Sequence, residues 1–186
     1  GDNQTLGLAL PRSAGLKDEE ITLSRSEIRE LTKAVEKTGD PARGELVYRK
    51  LELGCVSCHA IGGAGGKVGP DLTSIGASAP LDYLVESLYY PNRKIKEGYH
   101  TTVVETKDNR TLAGVVVRDA GGELVLRDLA NKLISIPKNQ IRKKTAAPVS
   151  MMTPGLITGL AEDEQLHLYR FLAELGKAGA GHDHSH

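Results

Sequence analysis

The chain has few aromatic and few sulfur-containing side chains. Its 186 residues include no tryptophan, one phenylalanine, two cysteines and two methionines. With so few cysteines the fold cannot rest on a framework of disulfides, and a chain of this length can bury a core without one. Any chemistry that needs sulfur must therefore come from these few residues.

Net charge and long apolar runs are also absent. Lysine plus arginine and aspartate plus glutamate each number 24, so the formal charge is zero. This excludes a global attraction to nucleic acid or to an anionic membrane. No apolar run approaches the roughly 20 residues of a membrane span, and the start GDNQTLGLALPRS lacks the pattern of a secretory leader. We expect a soluble chain, either processed or part of a larger protein.

Both cysteines lie in one short segment, GCVSCHAIGGAGGKVGPDL, where His59 directly follows Cys58. A structural zinc site would need a second Cys/His cluster, and no second Cys-x-x-Cys exists. A thioredoxin-type dithiol would open a helix after a strand, which does not match the residues before Cys55. The spacing suits covalent haem, because the two thiols match the two vinyl groups and the adjacent imidazole meets the iron.

The residues around this motif agree with haem attachment. Asp40 as an N-cap and Pro41 in the first turn predict a helix that leads into the motif. Several glycines follow His59, and their small size would let the backbone run close to a flat macrocycle. A flexible surface loop has the same composition and remains the alternative.

Three segments of the chain resemble a known family. GDPARGELVYRK, GCVSCHAIGGAGGKVGPDL and SMMTPGL are similar to the cytochrome c-like haem-binding domain of Planctomycete/Verrucomicrobium type, over roughly residues 38–176. The resemblance implies one covalent haem c, with the Pro70 carbonyl accepting the His59 imidazole N–H and Leu72 packing on the ring. It also implies electron transfer without catalytic residues, a redox partner or fused dehydrogenase domain, and a periplasmic, exported protein.

The second axial ligand of the iron decides between two functions. A methionine favours electron transfer, whereas an open site would permit a haem enzyme or a gas sensor. Aligned on the family's usual Ser-x-Met-Pro-x-Gly-Leu, Met152 is the expected ligand, although Thr153 stands where proline is usual. Met151 is the second choice and His100 the third, and His167 and an open site are the remaining alternatives.

The apolar pattern changes its period along the chain. Helices are predicted in residues 24–39, in 78–91 and in 160–176, in addition to the helix before the motif. Between Pro91 and Met151, alternating apolar residues and Asp/Asn/Gly turns predict four strands and a short fifth at NQIRKK. We therefore expect an α+β fold: a helical cytochrome c-like haem domain with an inserted small β-barrel of SH3-like or Sm-like type.

The expected domain boundaries follow this change of pattern. Residues 1–38 would be a linker with a leading helix, and 39–92 together with 145–176 would form the haem domain. Residues 93–144 would form the barrel, inserted between the haem-attachment motif and the methionines. Residues 177–186 would be a flexible tail that contains histidines.

A basic cluster precedes the methionines, and it consists of Lys138, Arg142, Lys143 and Lys144. Local charge complementarity raises the encounter rate of redox proteins, so the cluster would steer an acidic partner toward the haem. A solvated strand end has the same composition and is the alternative interpretation.

Overall fold

A computed structural model describes residues 23–177 of the chain. The expected linker up to residue 22 and the histidine-containing tail from residue 178 lie outside the described residues. The helices are α1 (Arg25–Thr38), α2 (Pro41–Tyr48), α3 (Cys55–Cys58), α4 (Ile75–Ser78), α5 (Leu81–Tyr89) and α6 (Glu162–Glu174). The strands are β1 (Ala60–Ile61), β2 (Ala64–Gly65), β3 (His100–Thr106), β4 (Thr111–Ala120), β5 (Glu123–Arg127), β6 (Leu133–Pro137) and β7 (Ile141–Ser150).

The first two helices begin at the capping residues that the sequence predicts. The Ser24 hydroxyl accepts the Glu27 backbone N–H, and the Glu27 carboxylate accepts the Ser24 N–H, which is a complete capping box. Asp40 accepts two N–H groups of the first turn of α2, and Pro41 occupies a position where no N–H partner is needed. Local side-chain chemistry therefore sets both helix starts.

The helices share one apolar cluster, called the helical core here, with α6 at its centre. Leu168, Tyr169 and Phe171 of α6 are at most 1% exposed. A Cβ on Gly44 of α2 would lie 1.9 Å from the His167 carbonyl oxygen, so only glycine permits this approach of α2 to α6. The helical core also includes Ile28, Leu31, Val35, Val47, Tyr48, Leu53, Leu84, Val85, Tyr89, Tyr90, Ile157, Leu166, Leu172, Ala173 and Leu175.

The five longer strands, β3 to β7, form one antiparallel sheet in the order β6-β5-β4-β3-β7. Its strands bury a second, smaller cluster, called the sheet core here. Leu124 pairs with Ile136 and Leu126 with Ile134 across β5 and β6, so the four side chains share one face. The buried members of the sheet core are Val104, Leu124, Leu126 and Ile136.

The expected fold is wrong in two respects. The chain is α+β with a five-stranded antiparallel sheet as its largest hydrogen-bonded element, and it does not show a helical cytochrome c-like fold. The expected small β-barrel is an open sheet, because β6 and β7 are its two edges and do not pair with each other within residues 23–177. Apolar periodicity places helices and strands along the chain and predicts their buried faces. It specifies neither how helices pack together nor whether edge strands meet.

Strand β7 is also longer than the short strand expected at residues 139–144. It runs from Ile141 to Ser150 and pairs with β3 along Ile141–Ala146 and again at Ser150. The register shift between these two paired parts leaves Pro148 unpaired, where its missing N–H costs no ladder hydrogen bond. The sheet therefore extends to the residue directly before Met151.

Candidate cofactor site

A cavity of about 630 Å³ is lined by both cysteines and both methionines of the chain, among other residues. Its volume lies within the roughly 300–1,000 Å³ that is typical of sites for organic ligands. Helices α5 and α6, the segment around α3 and the residues after β7 all contribute to its lining. The lining includes Cys55, Cys58, His59, Val68, Pro70, Leu72, Tyr83, Leu84, Leu88, Ile95, Met151, Met152, Leu168 and Leu172.

The two cysteines are placed by a single helical turn. Gly54 has a φ of 66°, a left-handed conformation that lets the chain turn from the 3-10 turn at Leu51–Leu53 into α3. Within α3 the His59 N–H donates to the Cys55 carbonyl oxygen at 2.8 Å. Cys55, Cys58 and His59 are thereby held close together, and both cysteines are free thiols.

Burial makes both thiols weak acids. It raises the pKa of Cys55 to about 11 and also raises the pKa of Cys58. Both are therefore protonated at neutral pH, whereas the reactive form of a cysteine is the deprotonated thiolate. A dithiol redox site needs the opposite shift, so the electrostatics oppose the thioredoxin-type alternative.

His59 has one defined tautomer. Its Nδ1 lies 2.7 Å from the Pro70 carbonyl oxygen, and because a carbonyl can only accept, Nδ1 carries the proton. Burial lowers the pKa of His59, and the bond to Pro70 opposes this only in part. The imidazole is therefore neutral at neutral pH, with Nε2 unprotonated, which is the form that ligates a metal.

Two glycines of the segment after His59, Gly66 and Gly69, are closely packed against the haem-attachment motif. A Cβ on Gly69 would lie 2.3 Å from Cε1 and 2.7 Å from Nδ1 of the His59 ring. A Cβ on Gly66 would lie 1.8 Å from the Ser57 carbonyl oxygen. The Gly69 N–H donates to the Cys58 carbonyl oxygen at 2.8 Å. These positions need glycine because backbone and imidazole approach too closely for any side chain.

Tyr48 is a site residue that sequence reasoning missed. Its hydroxyl donates to the His59 carbonyl oxygen at 3.3 Å, and its ring centroid lies 5.5 Å from that of Phe171. Burial raises the pKa of Tyr48, so the hydroxyl remains a neutral donor. Tyr48 follows Gly44 by four residues and thus shares the face of α2 that packs on α6, a spacing that could have identified it.

Both methionines line the cavity, and both are partly buried. The Met152 N–H donates to the Ser150 hydroxyl at 3.0 Å. The Ser150 N–H in turn donates to Oδ1 of Asn92 at 2.8 Å. The segment after β7 is thus held by specific hydrogen bonds, and Asn92 is a second residue that the sequence did not reveal.

The two histidines considered as alternative ligands lie away from the cavity lining. His100 is exposed at the start of β3, opposite Ser150. His167 is 5% exposed in α6, and its Nδ1 accepts the Asp40 N–H at 3.0 Å. The structure therefore brings His59 together with Met151 and Met152, and leaves the other two histidines outside this group.

Charged side chains of both signs line the cavity, and the acidic ones are Glu52 and Asp71. Lys94 and Lys96 both contribute to its lining. Lys94 forms an ion pair with Glu86 at 3.1 Å and lies 5.7 Å from the centroid of the Tyr83 ring. The cavity therefore offers an apolar interior with charged groups of both signs in its lining, which suits an apolar ligand that carries a few polar groups.

The basic cluster is largely paired within the sheet. Lys138 and Lys144 both contact the Asp119 carboxylate, at 2.7 and 2.5 Å, and Arg142 contacts Glu105 at 3.0 Å. Hydrogen bonds from Lys138 and Lys144 lower the pKa of Asp119 to about 2. None of the four cations of the cluster lines the cavity. These contacts favour the simpler interpretation, a solvated and internally neutralised strand end.

Within the part of the chain that the structure describes, no group of three or more His, Cys, Asp or Glu side chains is arranged to hold a metal ion. None of the helices between residues 23 and 177 combines the length and the apolar composition needed to cross a membrane.

A scan against models of protein families and a search of curated proteins found no match to this chain.

Proposed function

We propose that this chain is an electron-transfer protein that carries one covalently attached haem c, related to the haem-binding domains of Planctomycete/Verrucomicrobium type. One observation carries the proposal: two thiols, a neutral imidazole and two thioethers line a single apolar cavity. A haem in this cavity would supply reversible one-electron chemistry at its iron.

The residues of the cavity fit such a group. Cys55 and Cys58 offer two thiols with the spacing of the vinyl groups, and neither is engaged in a disulfide. Because Gly69 has no side chain, the His59 ring can lie directly against the backbone at this position. Apolar side chains of α5 and α6 would cover a macrocycle.

His59 and Met152 are the proposed axial ligands. The bond from Nδ1 to the Pro70 carbonyl holds the ring in one orientation and raises the basicity of Nε2. Met152 contributes the thioether, with Met151 as the second choice. A methionine that occupies the sixth position leaves no free site for a substrate, so the protein's part is to hold the group and to exclude water.

The partner and the location belong to the same proposal. An electron carrier without its own substrate needs a donor, which we propose to be a dehydrogenase, either a fused domain or a separate protein. Covalent haem attachment of this kind takes place outside the bacterial inner membrane. We therefore place the protein in the periplasm, exported alone or as part of a larger protein.

The test uses haem-loaded protein, with intact mass and optical spectra of the oxidised and reduced forms. We expect one added haem mass that persists under denaturing conditions and is lost in the double variant Cys55→Ala/Cys58→Ala. The oxidised protein should show the weak long-wavelength band of methionine-ligated iron, which Met152→Ala removes and Met151→Ala retains. A high-spin wild-type spectrum would instead support an open site and thus a haem enzyme or sensor. A low-spin spectrum without the band would contradict methionine ligation.

A further inference from the structure

The sheet is connected to the methionines through the end of strand β7, where the pairing with β3 changes its register. After Ala146, which pairs with Thr102 of β3, the next paired residue of β7 is Ser150, opposite His100. The shift in register between these pairs is a bulge, and bulges change the direction of the side chains that follow them. Ser150 is thus the last residue fixed by the sheet, and only Met151 separates it from Met152.

Ser150 is held on both its backbone and its side chain. Its N–H donates to Oδ1 of Asn92 at 2.8 Å, and its hydroxyl accepts the Met152 N–H at 3.0 Å. The second bond closes a local turn of the kind that serine hydroxyls form with the backbone two residues ahead. The backbone of Met152 is therefore connected to Asn92 through two consecutive hydrogen bonds.

Asn92 belongs to the helical side of the cavity. It follows α5 and the residues Tyr90 and Pro91, of which Tyr90 is 3% exposed within the helical core. Pro91 lines the cavity itself. The bond from Asn92 to Ser150 therefore joins the end of α5 to the end of the sheet, next to the proposed sixth ligand.

A methionine benefits from such support more than most ligands do. Its side chain has three rotatable bonds and its thioether is a soft, uncharged donor. Ordering the chain that carries the ligand costs conformational entropy, and this cost is avoided when the backbone is already fixed.

We propose that Asn92 and Ser150 are positioning residues for Met152, through which the five-stranded sheet holds the sixth ligand of the iron against displacement. This inference rests on the proposed function, because it requires a haem iron that Met152 ligates. It assigns a role to the sheet, which lies between the two proposed axial ligands in the sequence.

Displacement of the methionine by added imidazole measures this role directly. Haem-loaded wild type, Asn92→Ala and Ser150→Ala would be titrated with imidazole while the methionine–iron band is followed. Loss of one supporting hydrogen bond is expected to raise the apparent affinity for imidazole by about fivefold to tenfold. Asn92→Asp retains an acceptor and Ser150→Thr retains a hydroxyl, so both should behave like the wild type.

A matched control separates positioning from general stability. Val35→Ala removes a buried side chain of the helical core that does not line the cavity, so it should lower Tm and leave imidazole affinity unchanged. If the two alanine variants also lower Tm without changing imidazole affinity, Asn92 and Ser150 are structural only and the inference is overturned. If Asn92→Ala does not fold, the Ser150→Ala and Ser150→Thr pair gives the decision.

Failure of the proposed function looks different. A wild-type spectrum that lacks the methionine–iron band would overturn the ligation itself, and with it this inference, before any variant is compared. A wild type with the band and unaltered alanine variants would overturn only the positioning role.

Discussion

The helical core and the sheet core bury very different amounts of apolar surface. The helical core has 18 buried residues, including Tyr169 and Phe171, whereas the sheet core has four, all aliphatic. The outer edge strand β7 is mostly exposed, and two of its three charged side chains, Arg142 and Lys144, form ion pairs. Since burial of apolar surface dominates folding stability, the helical core is expected to supply most of it.

This difference suits a division of roles. The thiols, His59 and Pro70 lie on segments that pack against the helical core, where the backbone is closely constrained. The methionines follow the sheet in the sequence, and the sheet buries fewer apolar residues than the helices do. Hydrogen bonds hold the segment that carries the methionines in position. Damage to the helical core should therefore affect the whole protein, whereas damage to the sheet should leave the thiols and His59 in place.

The largest expected effect compares one residue from each core. Phe171→Ala removes a ring that is 1% exposed and should lower the free energy of unfolding by about 3–5 kcal/mol. Leu124→Ala in the sheet core should lower the free energy of unfolding by less, about 2–3 kcal/mol, because the smaller cluster can relax into the space that the leucine side chain leaves. Urea unfolding of both variants measures the difference. Leu51→Ala, at a side chain that is 93% exposed, is the control. Equal losses for Phe171→Ala and Leu124→Ala would contradict the comparison.

The second effect concerns the thiols, which depend on burial beside the helical core. In protein produced without haem, Cys55 in a Cys58→Ser background should react with iodoacetamide at pH 8 on the order of a hundredfold more slowly than a free thiol. The reason is its pKa of about 11, so the rate should continue to rise beyond pH 10. A rate that levels off by about pH 8 would show a thiol pKa below its usual value of about 8.5 and would revive the dithiol alternative.

The third effect tests the close packing around His59. Gly69→Ala places a Cβ against the imidazole and should lower the free energy of unfolding by about 1–3 kcal/mol. It should also disturb the ligand spectrum of haem-loaded protein, since the ring must move. Gly159→Ala is the matched control, because a Cβ there meets no atom within 4 Å. If both variants unfold alike, the glycine at position 69 is not required by packing.

The smallest effect tests the sheet through its most strongly shifted carboxyl. The pKa of Asp119 is lowered to about 2 in the folded protein by Lys138 and Lys144, so these contacts stabilise the fold above the unfolded pKa of about 3.9. Their contribution should disappear as the pH falls from about 4 to 2. Thermal unfolding at several pH values, with Asp119→Asn as the control, should show a slightly larger loss in the wild type than in the variant, because other carboxyls with a lowered pKa, such as Asp40 and Glu164, titrate in both. A steeper loss would mean that the sheet depends on charge more than on its core.

Much of the local structure could be predicted from short segments of sequence. Ser24 with Glu27, and Asp40 with Pro41, mark helix starts because the partners of a capping residue lie within the same turn. The motif from Cys55 to His59 likewise lies within a single turn, so its proximity follows from spacing. The alternation of apolar residues in β5 and β6 predicted the buried face of the sheet.

Other features could not be read in this way. The expected barrel and cytochrome c-like fold were wrong because neither closure of edge strands nor helix packing is encoded in local periodicity. Tyr48 and Asn92 were missed because their partners, His59 and Ser150, are 11 and 58 residues away. A contact of that kind exists only once distant segments have packed.

The sequence by itself determined the chemical inventory of this protein: two thiols and an imidazole in one turn, and two thioethers, the only ones it has, in another segment. Only the tertiary structure decided that these groups line one cavity, that His59 presents a neutral nitrogen, and that a sheet precedes the methionines. The physical reason is range. Spacing along the chain fixes contacts within a turn, whereas burial, pKa shifts and long-range hydrogen bonds depend on which surfaces the folded chain removes from water.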